Sequence, residues 1–224
     1  MLREVLLSAR EAGFLGPGPI ERHLRHAEGF VSLARAQSES DSARFLDLGS
    51  GGGLPGLVIA DAWPTVRLVL LEANERRAQF LERAVITCGF QERVQVVHLR
   101  AEVAGRDPLY RGSFDGVVVR SFGTPAVVAE CSAPLLRKGG WLIVSEPPGD
   151  PSEGTQDEGL TRRPESPGDA ADPSRWPPEA LAQFGLAPAE FIRDGFGYQV
   201  LRQVELCSDK FPRRNGVPAK KPLF

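Results

Sequence analysis

Apolar residues follow two different rhythms along the chain. In the first 38 residues, Leu2, Val5, Leu6, Ala9 and Ala12 recur at helical spacing. Gly13, Gly16, Pro17, Gly18 and Pro19 end that helix. A second helix is predicted over 20–36, with Leu24, Ala27, Phe30, Val31 and Ala34 as its apolar stripe, followed by a polar linker over 37–42. From Arg44 the rhythm changes. Short apolar runs at 45–48, 66–71, 94–98, 114–119 and 141–145 read as strands, and amphipathic stretches at 56–62, 74–88 and 125–136 read as helices. Strands that are apolar throughout and alternate with helices predict a mostly parallel sheet covered on both faces.

The pattern breaks again over 147–175, which is rich in Pro, Gly, Ser, Asp and Glu and has Leu160 as its one large aliphatic residue. So little apolar surface does not offset ordering entropy, and a mobile acidic loop is expected there. A short helix at 178–184 and strands at 187–193 and 198–207 follow, the strands joined by a tight turn over 194–197. The predicted organisation is a helical extension over 1–42, an α/β domain over 43–207 and a basic, proline-punctuated, flexible tail over 208–224.

Composition narrows the function classes. At 224 residues, with 42% hydrophobic and 25% charged residues, the chain has the profile of a water-soluble protein with ample core. No apolar run approaches a membrane span, and the start shows no secretory h-region, so the expected compartment is the cytoplasm. Cys88, Cys131 and Cys207 are odd in number and form no Cys-x-x-Cys, and the three histidines lack ligand spacing, so neither disulfides nor a metal site is expected. A net charge of −2 argues against nucleic-acid binding through bulk charge and leaves room for a local basic patch.

The chemistry concentrates at Asp47-Leu-Gly-Ser-Gly-Gly-Gly-Leu-Pro-Gly56, a strand, a glycine turn and a helix start. Glycines let the backbone turn tightly and let a ligand approach closely, and in doubly wound folds such turns lie at the carboxyl edge of the sheet. The letters also satisfy G-x-G-x-x-G, but relative to Gly49 the third dinucleotide glycine falls on Leu54. Asp47 at the strand end suits a cation better than a pyrophosphate. S-adenosylmethionine, with a sulfonium, an ammonium and no phosphate, meets that condition. Glu72, at the end of the second strand and about 20 residues on, is placed for the ribose hydroxyls. It also stands where it could assist Asn74 in capping the next helix. Arg100-Ala-Glu102 follows the third strand, where the adenine ring lies in such folds.

The same residues resemble a known family. The glycine turn with Pro55 and Gly56 is similar to the signature of the bacterial small-subunit ribosomal-RNA guanine-N7 methyltransferases, historically called glucose-inhibited division protein B. Glu75-Arg-Arg-Ala-Gln-Phe-Leu81, Val97-His-Leu-Arg-Ala-Glu102, Glu21-Arg-His23 and the tail segment 210–223 resemble further segments of that family. The resemblance covers roughly 20–145 and 186–224. Departures are Arg25-His26-Ala27-Glu28 where the family has Asp-Ser, Arg120-Ser-Phe122 where it has Arg-Ala, a shorter N-terminal region, and the acidic insert after the fifth strand.

The resemblance implies a class I S-adenosylmethionine-dependent methyltransferase: an α/β, doubly wound Rossmann-like fold with a seven-stranded mostly parallel sheet. The implied product is S-adenosyl-L-homocysteine, and the implied partner is small-subunit ribosomal RNA or the assembled small subunit, with no metal and no membrane. A monomer is the default expectation. Gly49, Ser50, Gly51, Gly53 and Leu54 are expected around the methionine portion, with Asp47 orienting its ammonium. Glu72 is expected at the ribose, and Ala101 and Glu102 at the adenine. Arg120 is expected to meet the acceptor or the cofactor carboxylate; Asp115 projects from the opposite face of its strand and is badly placed to pair with it. His23, Arg213, Arg214, Lys220 and Lys221 are expected to contact RNA phosphates. Guanine N7 carries a lone pair and no proton, so no general base is required, and alignment is what the protein must supply. Transfer to a small metabolite, or a non-catalytic RNA-binding module, are the alternatives.

Overall fold

The computed structural model describes residues 1–147 and 174–224; the acidic loop expected over 147–175 lies almost wholly outside the described residues. Two helices, α1 (Leu2–Glu11) and α2 (Ile20–Ala36), precede an alternating core of β1 (Arg44–Leu48), α3 (Gly56–Ala62), β2 (Arg67–Glu72), α4 (Glu75–Thr87), β3 (Val94–His98), α5 (Ala101–Ala104), β4 (Phe114–Val119), α6 (Pro125–Ser132) and β5 (Leu136–Glu146). After the gap come α7 (Pro178–Ala182), β6 (Leu186–Asp194), β7 (Phe196–Gln203) and α8 (Val217–Lys220).

The seven strands form one sheet in the order β3-β2-β1-β4-β5-β7-β6. β1 to β5 run parallel, and the β6–β7 hairpin adds antiparallel to β5. The expected doubly wound, mostly parallel seven-stranded sheet is what the chain forms. Two strand limits shift by more than two residues. β5 starts at Leu136 rather than 141, across a register irregularity between Phe114 and Gly116 that the pair Gly139-Gly140 accommodates. β7 stops at Gln203, because from Val204 the backbone turns to bond Gly185 instead of a strand neighbour.

Alternation along each strand divides the core into two layers. Phe45, Leu68, Leu70, Val118 and Ile143 face α1, α2, α3 and α4, whereas Leu46, Leu48, Leu71, Val117, Val119 and Leu142 face α5, α6 and α7. Leu6 of α1 and Phe30 of α2 are fully buried in the first layer, so the N-terminal helices share the core of the sheet. Tyr198 of β7 ties α2 down by donating its hydroxyl to the His26 carbonyl at 2.7 Å, and the His26 ring stacks on Phe196 at 4.4 Å.

The C-terminal tail, expected to be flexible, is docked. Phe211 is buried against Phe184, and Arg111 donates to the Phe211 and Cys207 carbonyls at 2.8 and 2.9 Å. Arg106 holds the Pro212 carbonyl. Apolar burial and these backbone hydrogen bonds outweigh the tail's proline and charge content.

Candidate functional site

Register sets the site. Leu48, Leu71 and Val119 are neighbours across β1, β2 and β4, so the turn after β1, Glu72 at the end of β2 and Arg120 after β4 meet at one carboxyl edge. The strand order reverses between β1 and β4, and doubly wound sheets open a crevice at that point. A cleft of about 220 Å³ lies there, lined by Leu48, Gly49, Leu71, Glu72, Ala73, Arg77, Leu99, Ala101, Ser121 and Phe122.

The glycine turn is held from within. The N–H groups of Gly49 and Ser50 donate to the Leu71 carbonyl at 2.8 and 3.1 Å, and that of Gly53 donates to Ser50 at 2.7 Å. The Gly51 N–H donates to Glu72 at 2.8 Å. With these donors satisfied internally, the turn lacks the open row of N–H groups that a phosphate cradle presents. Glu72 uses its other oxygen to accept the Asn74 N–H at 2.8 Å, while the Asn74 side chain caps α4 through the Arg77 N–H. Glu72 therefore shapes the turn and the start of α4, and it also lines the cleft.

Asp47 is fully buried and accepts the Gly56 N–H through Oδ2 at 2.9 Å, while its Oδ1 has no partner. Burial pushes its pKa up to about 7, against the opposing pull of the Gly56 N–H. Arg120 is the nearby cation: it interacts with Asp47, is itself largely buried with its pKa pushed down by burial, and carries an Nη1 without a partner. Its Nη2 lies 2.6 Å from His23 Nδ1. Asp115 is engaged at the other end of β4, by the Arg44 N–H and Arg137, both at 2.6 Å.

Several expected site residues lie elsewhere. Ser50 is buried, with its hydroxyl on the Asp47 carbonyl at 2.9 Å. Gly53 and Leu54 pack inward: a Cβ at 53 would come within 2.4 Å of Leu57, and Leu54 belongs to the core. Ala101 lines the cleft, but the Glu102 carboxylate turns to the tail, accepting the Gly216 N–H at 2.6 Å and pairing with Arg100 at 3.3 Å. Burial would raise the Glu102 pKa, but these partners outweigh it and hold it below the usual range.

Two of the residues expected to contact RNA are engaged by the protein itself. His23 is buried, between Arg120 and the Gly16 carbonyl. Arg213 forms a bidentate pair with Glu130, whose side chain is 1% exposed, and also donates its own N–H to that carboxylate. Arg214, Lys220 and Lys221 are exposed and form no ion pair among the described residues.

Pattern reading missed Arg77, Leu99, Ser121 and Phe122. Phe122 covers Gly49 so closely that a Cβ there would lie 2.7 Å from its ring. Ser121 is a non-glycine residue at φ 56°, a strained geometry that clusters at ligand sites. The sequence signals were that Ser121 and Phe122 follow β4 and that Arg77 and Leu99 lie in segments that resemble the family. The α1–α2 loop was missed as well: a Cβ at Gly52 would sit 2.6 Å from Leu15 and 2.9 Å from the Phe14 carbonyl, so the loop lies directly on the glycine turn.

Comparison with known proteins shows the family and the fold. A family model described as rRNA small subunit methyltransferase G matches residues 19–146. The ribosomal RNA small subunit methyltransferase G of Prochlorococcus marinus strain MIT 9313 is 36% identical over 208 residues, covering 87% of this chain and 75% of the relative. A SAM dependent methyltransferase from Aquifex aeolicus has the same fold at a TM-score of 0.54 and 13% identity, over 76% of this chain and 87% of the other. PigF with SAH does so at 0.55 and 20% identity, over 80% of this chain and 56% of the other. The chain belongs to the rRNA small subunit methyltransferase G family.

Proposed function

We propose that this protein transfers the methyl group of S-adenosylmethionine to N7 of a guanine in small-subunit ribosomal RNA, in the cytoplasm. The observation that carries the cofactor assignment is the pair of buried, unpartnered polar atoms at the sheet switch point, Asp47 Oδ1 and Arg120 Nη1. A carboxylate oxygen and a guanidinium nitrogen without partners fit a ligand that brings its own ammonium and carboxylate, and buried polar atoms of this kind call for partners. The cleft beside them has Glu72 where two ribose hydroxyls can donate, and Ala101 and Leu99 as apolar walls for a flat ring.

When bound, the cofactor supplies an electrophilic methyl on a sulfonium. The chain's residues orient and exclude water. Asp47 holds the ammonium, Glu72 the ribose, and Arg120 directs its free Nη1 toward the acceptor or the carboxylate. N7 attacks with its lone pair and loses no proton, so no side chain has to act as a base. Alignment of this kind is worth several powers of ten in rate. Arg214, Lys220 and Lys221 on the docked tail present exposed charge for RNA phosphates.

The test incubates the protein with methyl-labelled S-adenosylmethionine and small ribosomal subunits from cells lacking this gene, followed by nucleoside mass analysis. Label in 7-methylguanosine is expected. Cofactor binding without label in RNA would move the acceptor to another class of molecule, and absence of cofactor binding would overturn the enzyme reading.

A further inference from the structure

We propose that His23 is a positioning residue of the transfer site: as a neutral imidazole protonated on Nε2, it accepts a hydrogen bond from Arg120 and fixes where the free Nη1 of that guanidinium points. The proposal rests on the methyltransferase reading above.

Guanidinium groups only donate, so the 2.6 Å contact from Arg120 Nη2 requires a lone pair on His23 Nδ1. The other ring nitrogen, Nε2, lies 3.1 Å from the Gly16 carbonyl, which only accepts. The two contacts together select one state of the ring, neutral with its proton on Nε2. A protonated ring would direct an N–H at the guanidinium and lose the contact. Three chain segments are joined in this way: the α1–α2 loop through Gly16, α2 through His23, and the end of β4 through Arg120. The loop lies on the glycine turn, and Tyr198 and Phe196 hold α2 in place one helical turn further on. The N-terminal helices thereby position the active-site arginine.

The charged and titratable groups facing His23 act together. Burial and then the Arg120 guanidinium lower its pKa, Arg22 on its own helix does the same, and the Gly16 carbonyl opposes them. His26 is pushed down to about 4 by burial and by the same two cations, and stays neutral over the working range. Asp47 reaches the cluster through Arg120, as does Tyr198, whose hydroxyl titrates at about 12. Asp47 titrates at about 7. Its effect falls on cofactor affinity, so turnover at saturating cofactor isolates His23.

Nitrogen-15 NMR of the full-length protein without cofactor reads the ring state directly. At neutral pH, Nδ1 of His23 is expected to resonate as an unprotonated nitrogen and Nε2 as a protonated one; the reverse tautomer overturns the proposal. Methylation assays then compare wild type, His23→Leu and His23→Asn, with circular dichroism confirming the fold of each. Leucine leaves Arg120 without an acceptor, and a displaced positioning group costs about 100-fold in turnover. The asparagine Oδ1 falls where Nδ1 was and does not titrate. His23→Asn is therefore expected to recover most of the loss and to flatten the fall in kcat below the ordinary histidine range. Equal kcat in wild type and His23→Leu, or an unchanged acid limb in His23→Asn, would overturn the proposal. Should His23→Leu not fold, the asparagine pH profile and the wild-type NMR still decide. A wild type that transfers no methyl overturns the function reading, and the NMR result stands apart from it.

Discussion

Proton release on cofactor binding tests the assignment of Asp47. In the free protein its carboxyl, buried and with Oδ1 unpartnered, titrates at about 7. An ammonium brought against Oδ1 favours the ionised form, so binding must expel the proton. From Asp47 alone about 0.9 proton should leave per cofactor bound at pH 6, and about 0.5 at pH 7. The cofactor's α-amino group, with an ordinary pKa near 8, must itself be protonated in the complex, so above about pH 8 binding should take protons up. Net exchange therefore changes sign between about pH 7 and 8. The assay is calorimetry with S-adenosyl-L-homocysteine in buffers of different ionisation enthalpy, the slope giving the proton count. Below pH 7 affinity should fall about tenfold per pH unit. The stability linkage has the same origin. A carboxyl with a raised folded-state pKa stabilises the free protein fully below its unfolded pKa, and that contribution is lost as pH rises through about 7. The ligand's thermal stabilisation should thus be larger at pH 8 than at pH 6. Asp47→Asn should abolish the release at pH 6 and weaken binding at pH 7.5 by about 10- to 100-fold, the worth of a charged hydrogen bond. No release from wild type at pH 6, or the same release from Asp47→Asn, would refute this placement of the ammonium.

Other consequences follow from single contacts. Glu72→Ala removes the acceptor of two backbone N–H groups and should cost about 1–3 kcal/mol of stability along with ribose affinity, read by denaturant melts with and without S-adenosyl-L-homocysteine. Glu72→Gln keeps one acceptor oxygen and should lose less. Arg213→Met leaves the Glu130 carboxylate buried and unpaired, at a cost of about 3–5 kcal/mol in urea unfolding. The double variant Arg213→Met/Glu130→Leu should recover a large part of that, as neither charge is then stranded. Changing Arg214, Lys220 and Lys221 together to Ala should lower the slope of log affinity for RNA against log salt by about 2 to 3 and leave cofactor affinity unchanged; an unaltered slope would remove them from the RNA surface.

The carboxyl edge that borders the cleft was legible in the sequence because strand-end chemistry is local. Asp47, Gly49 and Glu72 lie within a residue or two of the strands that carry them, and parallel register then sets strand ends side by side. The other assignments depended on where side chains turn once packed. Glu102 and Arg213 carry the same charges as residues that face ligands, yet each is pulled inward by a partner over 80 positions away, Gly216 and Glu130. The basic tail reads as solvated by composition, whereas Phe211, the carbonyl contacts of Arg106 and Arg111, and the contacts to Glu130 and Glu102 dock it.

The sequence by itself determined the α/β class, the switch-point turn and the carboxylates at the ends of β1 and β2, because hydrophobic period and glycine placement are short-range properties. Only the tertiary structure decided that the α1–α2 loop roofs that turn, that Phe122 and Ser121 wall the cleft, and that His23 lies against Arg120, 97 positions away. Those outcomes depend on which surfaces bury against each other, and burial is settled by the whole chain at once.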